Sequence, residues 1–293
     1  MTRRVVITGM GTINPLSSNL QEYWEGLCAG RSGVGYIEQI DISHHKIKIA
    51  GEIKNFEPDK LLDPKTARRL DRFAQFALVA AHLGVKDSGI DFSKEDPFRC
   101  GVIFGSGIGG LMEFEEQHTR FMQGGPGKIS PFVVPKMIVN AAAGNISIEF
   151  GLSGPNTAVS TACASAAHAI GDAMRAIQYG YADVMLTGGS EAGITPMGVG
   201  GFIQARALSP NNADPKGASR PFDKDRDGFV LGEGAGVIVV EDLEHAKARG
   251  ARIYAELFGV GNTADAHHIT ARIRAASVRR WPCDRQPRTR NWR

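Results

Sequence analysis

Short runs of β-branched and aliphatic residues alternate along this chain with longer segments of helical period. VVIT (5–8), CGVIF (100–104), TAVST (157–161), DVMLT (183–187) and GVIVVE (236–241) are nearly continuous in apolar character, as strands buried on both faces are. Between them NLQEYWEGLCAG (19–30), PKTARRLDRFAQFALVAAHLGVKDSG (64–89), LMEFEEQHTRFMQG (111–124) and ASAAHAIGDAMRAIQYG (164–180) carry a helical pattern, and several end on glycine, the usual helix stop. The alternation predicts an α/β layered fold around a largely parallel or mixed sheet. ARIYAELFGVG (251–261) reads as the first strand of a further sheet.

The periodicity then stops. Residues 272–293 hold eight arginines and one acid, with neither strand nor helical period. This Arg-rich tail reads either as a disordered basic arm that binds nucleic acid or membrane, or as sequence foreign to the fold, such as a GC-rich gene read out of frame; its Arg, Pro, Trp and Cys content favours the second. The tail also accounts for the positive net charge of +3. Without it the body is mildly acidic, which leaves no global case for a nucleic-acid partner. No apolar run approaches the roughly 18 to 20 residues of a membrane span, and the N-terminus enters a strand directly, without a signal-peptide pattern. The four cysteines, 28, 100, 163 and 283, are far apart with no CxxC pair. That is neither a metal spacing nor a disulfide framework, and it suits a reducing cytoplasm.

Several motifs mimic familiar chemistry. Gly105, Gly107 and Gly110 have GxGxxG spacing after a strand, but no acidic residue closes a second strand about 20 residues on, as a dinucleotide site requires. Turns that bring backbone close to a pocket explain these glycines as well. DKDRDGFVLGE (223–233) places Asp223, Asp225, Asp227 and Gly228 like a calcium loop, yet its closing Glu233 is one residue early. A bidentate ligand so displaced points the wrong way, and a charged turn entering a buried strand is the simpler reading. The sequon Asn145–Ser147 has no meaning in a cytoplasmic protein. No metal site and no cofactor is expected.

The informative stretch is NTAVSTACASAAHAIGDAM (156–174). A β-rich run ends at Ala162, and Cys163 opens a helix of small residues. A cysteine at a helix N-terminus meets the positive end of the macrodipole and unpaired backbone N–H groups, which favour thiolate and can hold an oxyanion. On pattern alone, however, a buried, inert cysteine is the default reading.

The segments PNTAVSTACASAAHAIGDAMRAIQYGYADVMLTGGSEAGITPMGVGGFIQARALS (155–209), RRVVITGMGTINPLS (3–17), GSGIGGL (105–111), GGPGKISPFVVPKMIVN (124–140) and SRPFDKDRDGFVLGEGAG (219–236) closely resemble the elongating β-ketoacyl-acyl-carrier-protein synthases, and the match continues through NTADAHHIT (262–270). The resemblance implies a thiolase-like layered αβαβα fold built of two similar halves. On it, residues 1–250 form the complete N-terminal half, 251–271 begin the second half, and the chain is the front two-thirds of such an enzyme. Cys163 is then the nucleophile that takes a fatty acyl group from the carrier protein's phosphopantetheine arm. Malonyl-carrier protein loses carbon dioxide, and its carbanion attacks the thioester to give a 3-oxoacyl chain.

Gly107, Ile108, Val133 and Phe202 match the family's acyl pocket, with Val133 reaching in from the second subunit of a homodimer. Where relatives carry two phenylalanines, this chain has Phe132 followed by Val133. Lys65, Arg68, Arg69, Lys128 and Arg206 match or neighbour the basic residues that dock the acidic acyl carrier protein, one related position being Gly127 here. The family's two later histidines, in HGTGT-like and GHxxGAAG-like segments, do not occur, so condensing activity is expected to be lost. His168 lies on the nucleophile helix, and His267 and His268 are not the family pair. A non-catalytic carrier-protein- or subunit-binding fragment is the alternative; a cysteine hydrolase would need a histidine paired with Cys163.

Overall fold

The computed structural model describes residues 2–264 and residue 266. The expectations for the tail at 272–293, for Cys283 and for His267 and His268 lie outside them. The strands are β1 (Val5–Ile13), β2 (Gly35–Tyr36), β3 (Ile49–Ala50), β4 (Cys100–Gly105), β5 (Asn156–Val159), β6 (Val184–Glu191), β7 (Gly234–Asp242) and β8 (Ala255–Leu257). The helices are α1 (Leu20–Cys28), α2 (Pro58–Leu61), α3 (Pro64–Arg68), α4 (Arg72–Ser88), α5 (Leu111–Gly124), α6 (Val133–Met137), α7 (Ala141–Phe150), α8 (Ser165–Gln178), α9 (Pro196–Gln204) and α10 (Leu243–Ala248).

Six strands form one mixed sheet in the order β5-β4-β6-β7-β1-β8, and β2 and β3 make a separate hairpin. β5, β4 and β6 are mutually parallel, whereas β7 runs antiparallel to β6 and β1. The side-chain alternation of β4 explains its unbroken apolar sequence. Cys100, Val102 and Phe104 enter the core under α4 and α7, while Ile103 enters the core under α8. β6 does the same with Val184 and Leu186 on one face and Met185 on the other. Both faces are covered, so no polar alternation is needed. A smaller cluster joins the hairpin to α9 through Ile49, Ile194, Val199 and Leu231.

Two expectations are corrected. Residues 64–89 are not one helix. Asp71 has extended backbone and accepts the Phe73 N–H, so it caps a new helix α4, and its other oxygen takes the Glu113 N–H at 2.9 Å. Leu70 beside it is buried, which pins the break. The strand in 251–261 does not start another sheet either. β8 pairs antiparallel with β1, Val5 opposite Leu257, and the Arg4 guanidinium forks onto Glu256 at 2.8 and 2.6 Å. It satisfies what would otherwise be a free edge of β1.

Two buried carboxylates have cationic partners that fix their surroundings. Arg72 donates to both oxygens of Glu233, whose side chain is fully buried, at 2.9 and 2.6 Å. Glu233 also accepts the Ile53 N–H at 2.8 Å. The residue that would have closed a calcium loop is thus turned into the core. Glu241 sits between Thr8, His245 (2.8 Å) and Arg249 (2.8 and 2.5 Å), and His245 reaches Glu95 with its other nitrogen at 2.9 Å. Burial alone would raise the Glu241 carboxyl, but hydrogen bonds from Arg249, His245 and Thr8 outweigh it and hold it at about 2. The same Glu241 bond, with Glu95 adding and burial opposing, lifts His245 to about 9. Among the described residues no helix is long and apolar enough to cross a membrane, and no cluster of three His, Cys, Asp or Glu is placed to hold a metal ion.

Candidate active site

The C-terminal ends of the three parallel strands β4, β5 and β6 meet at one place. In open α/β sheets this end is where ligands are held. Beyond β4 runs the loop Ser106–Gly110, beyond β5 the turn Ser160–Ala164, and at the end of β6 stands Glu191.

The turn beyond β5 carries Cys163. Ala162 is held at φ +51°, a left-handed conformation that costs an L-residue about 1–2 kcal/mol. Such strain persists only where the surroundings impose it, and here they are identifiable. The buried Ser165 hydroxyl accepts the Thr161 N–H at 2.8 Å and donates to the Ala162 carbonyl at 2.7 Å. The Ala164 and Ser165 amides fold back onto the Thr161 and Ala162 carbonyls, each at 3.1 Å. The turn therefore closes on itself, and Cys163 projects from it exposed. α8 begins at Ser165 with Ala164 as its N-cap, one residue later than its pattern predicts and two after Cys163. Cys163 thus stands just before the helix rather than in it. Ser165 was not singled out in the sequence, although a serine at a helix start after a strand is a recognisable turn signal.

Cys100 shows the contrast. It is buried at the start of β4, and burial with nearby carboxylates pushes its thiol up to about 12.

Gly105 and Gly107 are glycines because of what lies against them. A Cβ on Gly105 would stand 2.4 Å from the Ser165 carbonyl carbon, and one on Gly107 would stand 2.8 Å from Glu191 Oε2 and 3.6 Å from Ala162 Cα. The first lets α8 rest directly on β4. The second lets the loop approach both Glu191 and the Ser160–Ala164 turn, and Ser160 Oγ donates to the Gly107 carbonyl at 3.2 Å. Glu191, which no sequence motif flagged, accepts from Gly107 N (2.7 Å), Ile108 N (3.3 Å) and Ser106 Oγ (3.2 Å). Its burial raises the carboxyl above the ordinary range, opposed by those donors.

Of the expected acyl-pocket residues, Gly107 and Ile108 lie beside the turn that carries Cys163. The half-buried Phe202 on α9 packs on the cluster that contains Leu231. Cδ1 atoms of Ile108 and Leu231 each lie 3.9 Å from where a Cβ on Gly193 would be, which links the two groups. Phe229, absent from the sequence expectations, stands edge-on to Phe202 with centroids 5.3 Å apart. Val133 is on α6, whose backbone packs against Gly109 and Gly110 rather than on Phe202.

The expected docking cations are all exposed. Lys65 and Arg68 are on α3 with Arg69 as its C-cap, and Arg69 lies over the Phe132 ring at 5.7 Å. Lys128 is in the short turn Pro126–Lys128 before α6. Arg206 follows α9 at φ +52°. Among the described residues no histidine hydrogen-bonds Cys163; His168 Nδ1 is 2.8 Å from Thr161 Oγ1.

Comparison with known proteins gives concordant results. The family profile for the β-ketoacyl synthase N-terminal domain matches residues 2–246. The 3-oxoacyl-[acyl-carrier-protein] synthase 2 of Synechocystis sp. is 49% identical over 271 residues, covering 92% of this chain and 65% of the relative. The protein of that name from Vibrio cholerae is 49% identical over 269 residues, with the same coverages. The chain spans about 65% of the length of these curated relatives. Among solved structures, a β-ketoacyl synthase from Burkholderia phymatum superposes with a TM-score of 0.83 at 34% identity, covering 92% of this chain and 66% of its own. The AntDE:AntF complex, a type II PKS acyl-carrier protein with its ketosynthase bound to the hexaketide, gives 0.81 at 34%, covering 92% and 65%.

Proposed function

The chain belongs to the β-ketoacyl synthase family, and from that premise we propose that it is the acyl-accepting part of a condensing enzyme of fatty acid elongation. Cys163 attacks the thioester of an acyl chain on acyl carrier protein and keeps the chain as its own thioester. The new S–C bond forms as the donor C–S bond breaks, and the departing pantetheine thiol takes up the proton that Cys163 has given. The observation that carries this reading is the strained, self-closed turn that presents Cys163 exposed at the C-terminal ends of three parallel strands.

Malonyl decarboxylation and carbon–carbon bond formation are not assigned to this chain, because the HGTGT-like and GHxxGAAG-like histidine segments of the family do not occur in its sequence. Lys65, Arg68, Arg69, Lys128 and Arg206 dock the acidic carrier protein, and opposite charge speeds such encounters. A homodimer completes the acyl pocket through Val133, and the setting is cytoplasmic. Support for pairing comes from β5, an edge strand whose Asn156 and Thr157 are exposed. Its free backbone groups are a template for a second copy. No metal or cofactor enters this chemistry.

Incubation with acyl- and malonyl-carrier protein, followed by intact-mass analysis, tests the reading. An acyl adduct on Cys163 without 3-oxoacyl product is expected. Absence of an adduct on a protein whose Cys163 still alkylates would refute acyl acceptance, and turnover to product would refute the loss of condensation. A non-catalytic carrier-protein-binding role would give binding without adduct.

A further inference from the structure

We infer that Glu191 is a positioning residue that sets the wall of the acyl pocket, and with it the length of acyl chain that Cys163 accepts. The inference rests on the acyl-acceptor reading above and deepens it.

Glu191 is the last residue of β6, and its carboxylate gathers the amides of Gly107 and Ile108 and the hydroxyl of Ser106. Ser106 Oγ in turn accepts the Gly109 N–H at 3.1 Å. The whole bend of the loop is thus wound around one side chain. Its acceptor count makes the residue hard to replace. An ionised carboxylate has about four lone-pair sites and no donor, so it can face three donors at once. A glutamine of the same shape would turn N–H groups towards at least one of them, leaving a buried donor without its acceptor.

Gly107 has little slack, since the place its Cβ would take is 2.8 Å from Glu191 Oε2 and 3.6 Å from Ala162 Cα. Repulsion at Glu191 displaces Gly107 and Ile108, which it holds by their amides, from their place beside the Cys163 turn. Ile108 is the side chain that moves, and it borders Leu231 across Gly193. Long acyl chains, which need that space, lose more than short ones.

The experiment compares parent, Glu191→Gln and Ser106→Ala proteins. Acylation of Cys163 by butyryl-, octanoyl- and dodecanoyl-pantetheine is followed by mass. Alkylation of Cys163 by iodoacetamide, a small probe that needs no pocket, serves as the control. In Glu191→Gln the dodecanoyl-to-butyryl rate ratio should fall by about 10-fold or more, the scale on which a pocket discriminates small changes in chain length, with alkylation unchanged within about twofold. Ser106→Ala, which removes one donor and keeps the carboxylate, should shift the ratio the same way by less. An unchanged ratio in both variants, even with all rates lowered together, overturns the inference and leaves Glu191 structural. A parent protein that alkylates but accepts no acyl chain overturns the acyl-acceptor reading itself, and the inference with it.

Discussion

The contact between Gly105 and α8 offers a direct test of how the nucleophile is placed. In a Gly105→Ala variant the new methyl would stand 2.4 Å from the Ser165 carbonyl carbon and 2.6 Å from the Ala166 nitrogen. Ordinary contact between such atoms is about 3.5 Å, so one partner must retreat by about 1 Å. β4 cannot, because it is hydrogen-bonded in register to β5 on one side and β6 on the other. The first turn of α8 therefore moves, and Ser165 carries the movement into the Thr161–Ala164 turn through its two hydrogen bonds. Overpacking of this kind costs about 1–3 kcal/mol, at the upper end here because both obstructing atoms are backbone. A misplacement of about 1 Å lowers a rate by up to 10²-fold. Urea unfolding measures the first quantity, and transfer of an acyl group from a pantetheine thioester to Cys163, followed by mass, measures the second. A variant within about 0.5 kcal/mol of the parent that acylates within twofold would refute the claim that this contact sets the nucleophile.

Replacing Arg72 by methionine leaves the Glu233 carboxylate buried and unpaired, so a loss of about 3–5 kcal/mol is expected in urea unfolding; a loss below 1 kcal/mol would mean that Glu233 has another neutralising partner. The His245–Glu241 cluster should shape stability against pH in two limbs. His245 is raised from 6.5 to about 9, so its contribution is complete below 6.5 and disappears as pH climbs through 9. Glu241 is lowered from 4.5 to about 2, so its contribution is complete above 4.5 and disappears as pH falls through 2. Each limb is worth roughly 1–3 kcal/mol, and His245→Gln should abolish the alkaline limb and shrink the acid one, which Arg249 and Thr8 still support, in urea midpoints measured across pH. Reversing Lys65, Arg68 and Arg69 together to glutamate should weaken acyl-carrier-protein binding at least 10-fold at low salt, read by calorimetry, with a smaller difference at high salt. Equal affinity for the two proteins would place the docking surface elsewhere.

The sheet was legible in the sequence because its strands are buried on both faces, and β4, β6 and β7 fall where their apolar runs lie. What pattern could not supply was partnership. The run at 251–261 has strand character whatever it pairs with, and only the free edge of β1 decides that Ala255–Leu257 belongs to the first sheet. The helix across 64–89 keeps its period through Leu70, and the break comes from a side-chain cap at Asp71 that helical periodicity does not register. The short helices α6, α7 and α9 escaped because Gly, Pro and Asn interrupt them. Cys163 was legible as a position, and the resemblance supplied Gly107, Ile108 and Phe202. Ser165, Glu191 and Phe229 were not, since each acts through a neighbour distant in sequence or through a turn closed by its hydroxyl.

The two described cysteines near this sheet show how position, more than residue type, decides what a thiol meets. Cys100 enters the sheet at the N-terminal end of β4, and Cys163 follows β5, the strand parallel to it. The first is enclosed under α4 and α7, where withdrawing a thiolate from water is so unfavourable that its thiol is pushed up to about 12. The second stands at the opposite end, beyond the last hydrogen bonds of the strands, where the chain must turn and water can reach it. Parallel strands deliver all their C-terminal ends to that one side, so a glycine loop, a strained turn and a buried carboxylate from three separate strands converge there without any long connection. Small residues then become necessary, because three backbones and a helix start share the space. That crowding is the reason Gly105 and Gly107 cannot be enlarged without moving a neighbour.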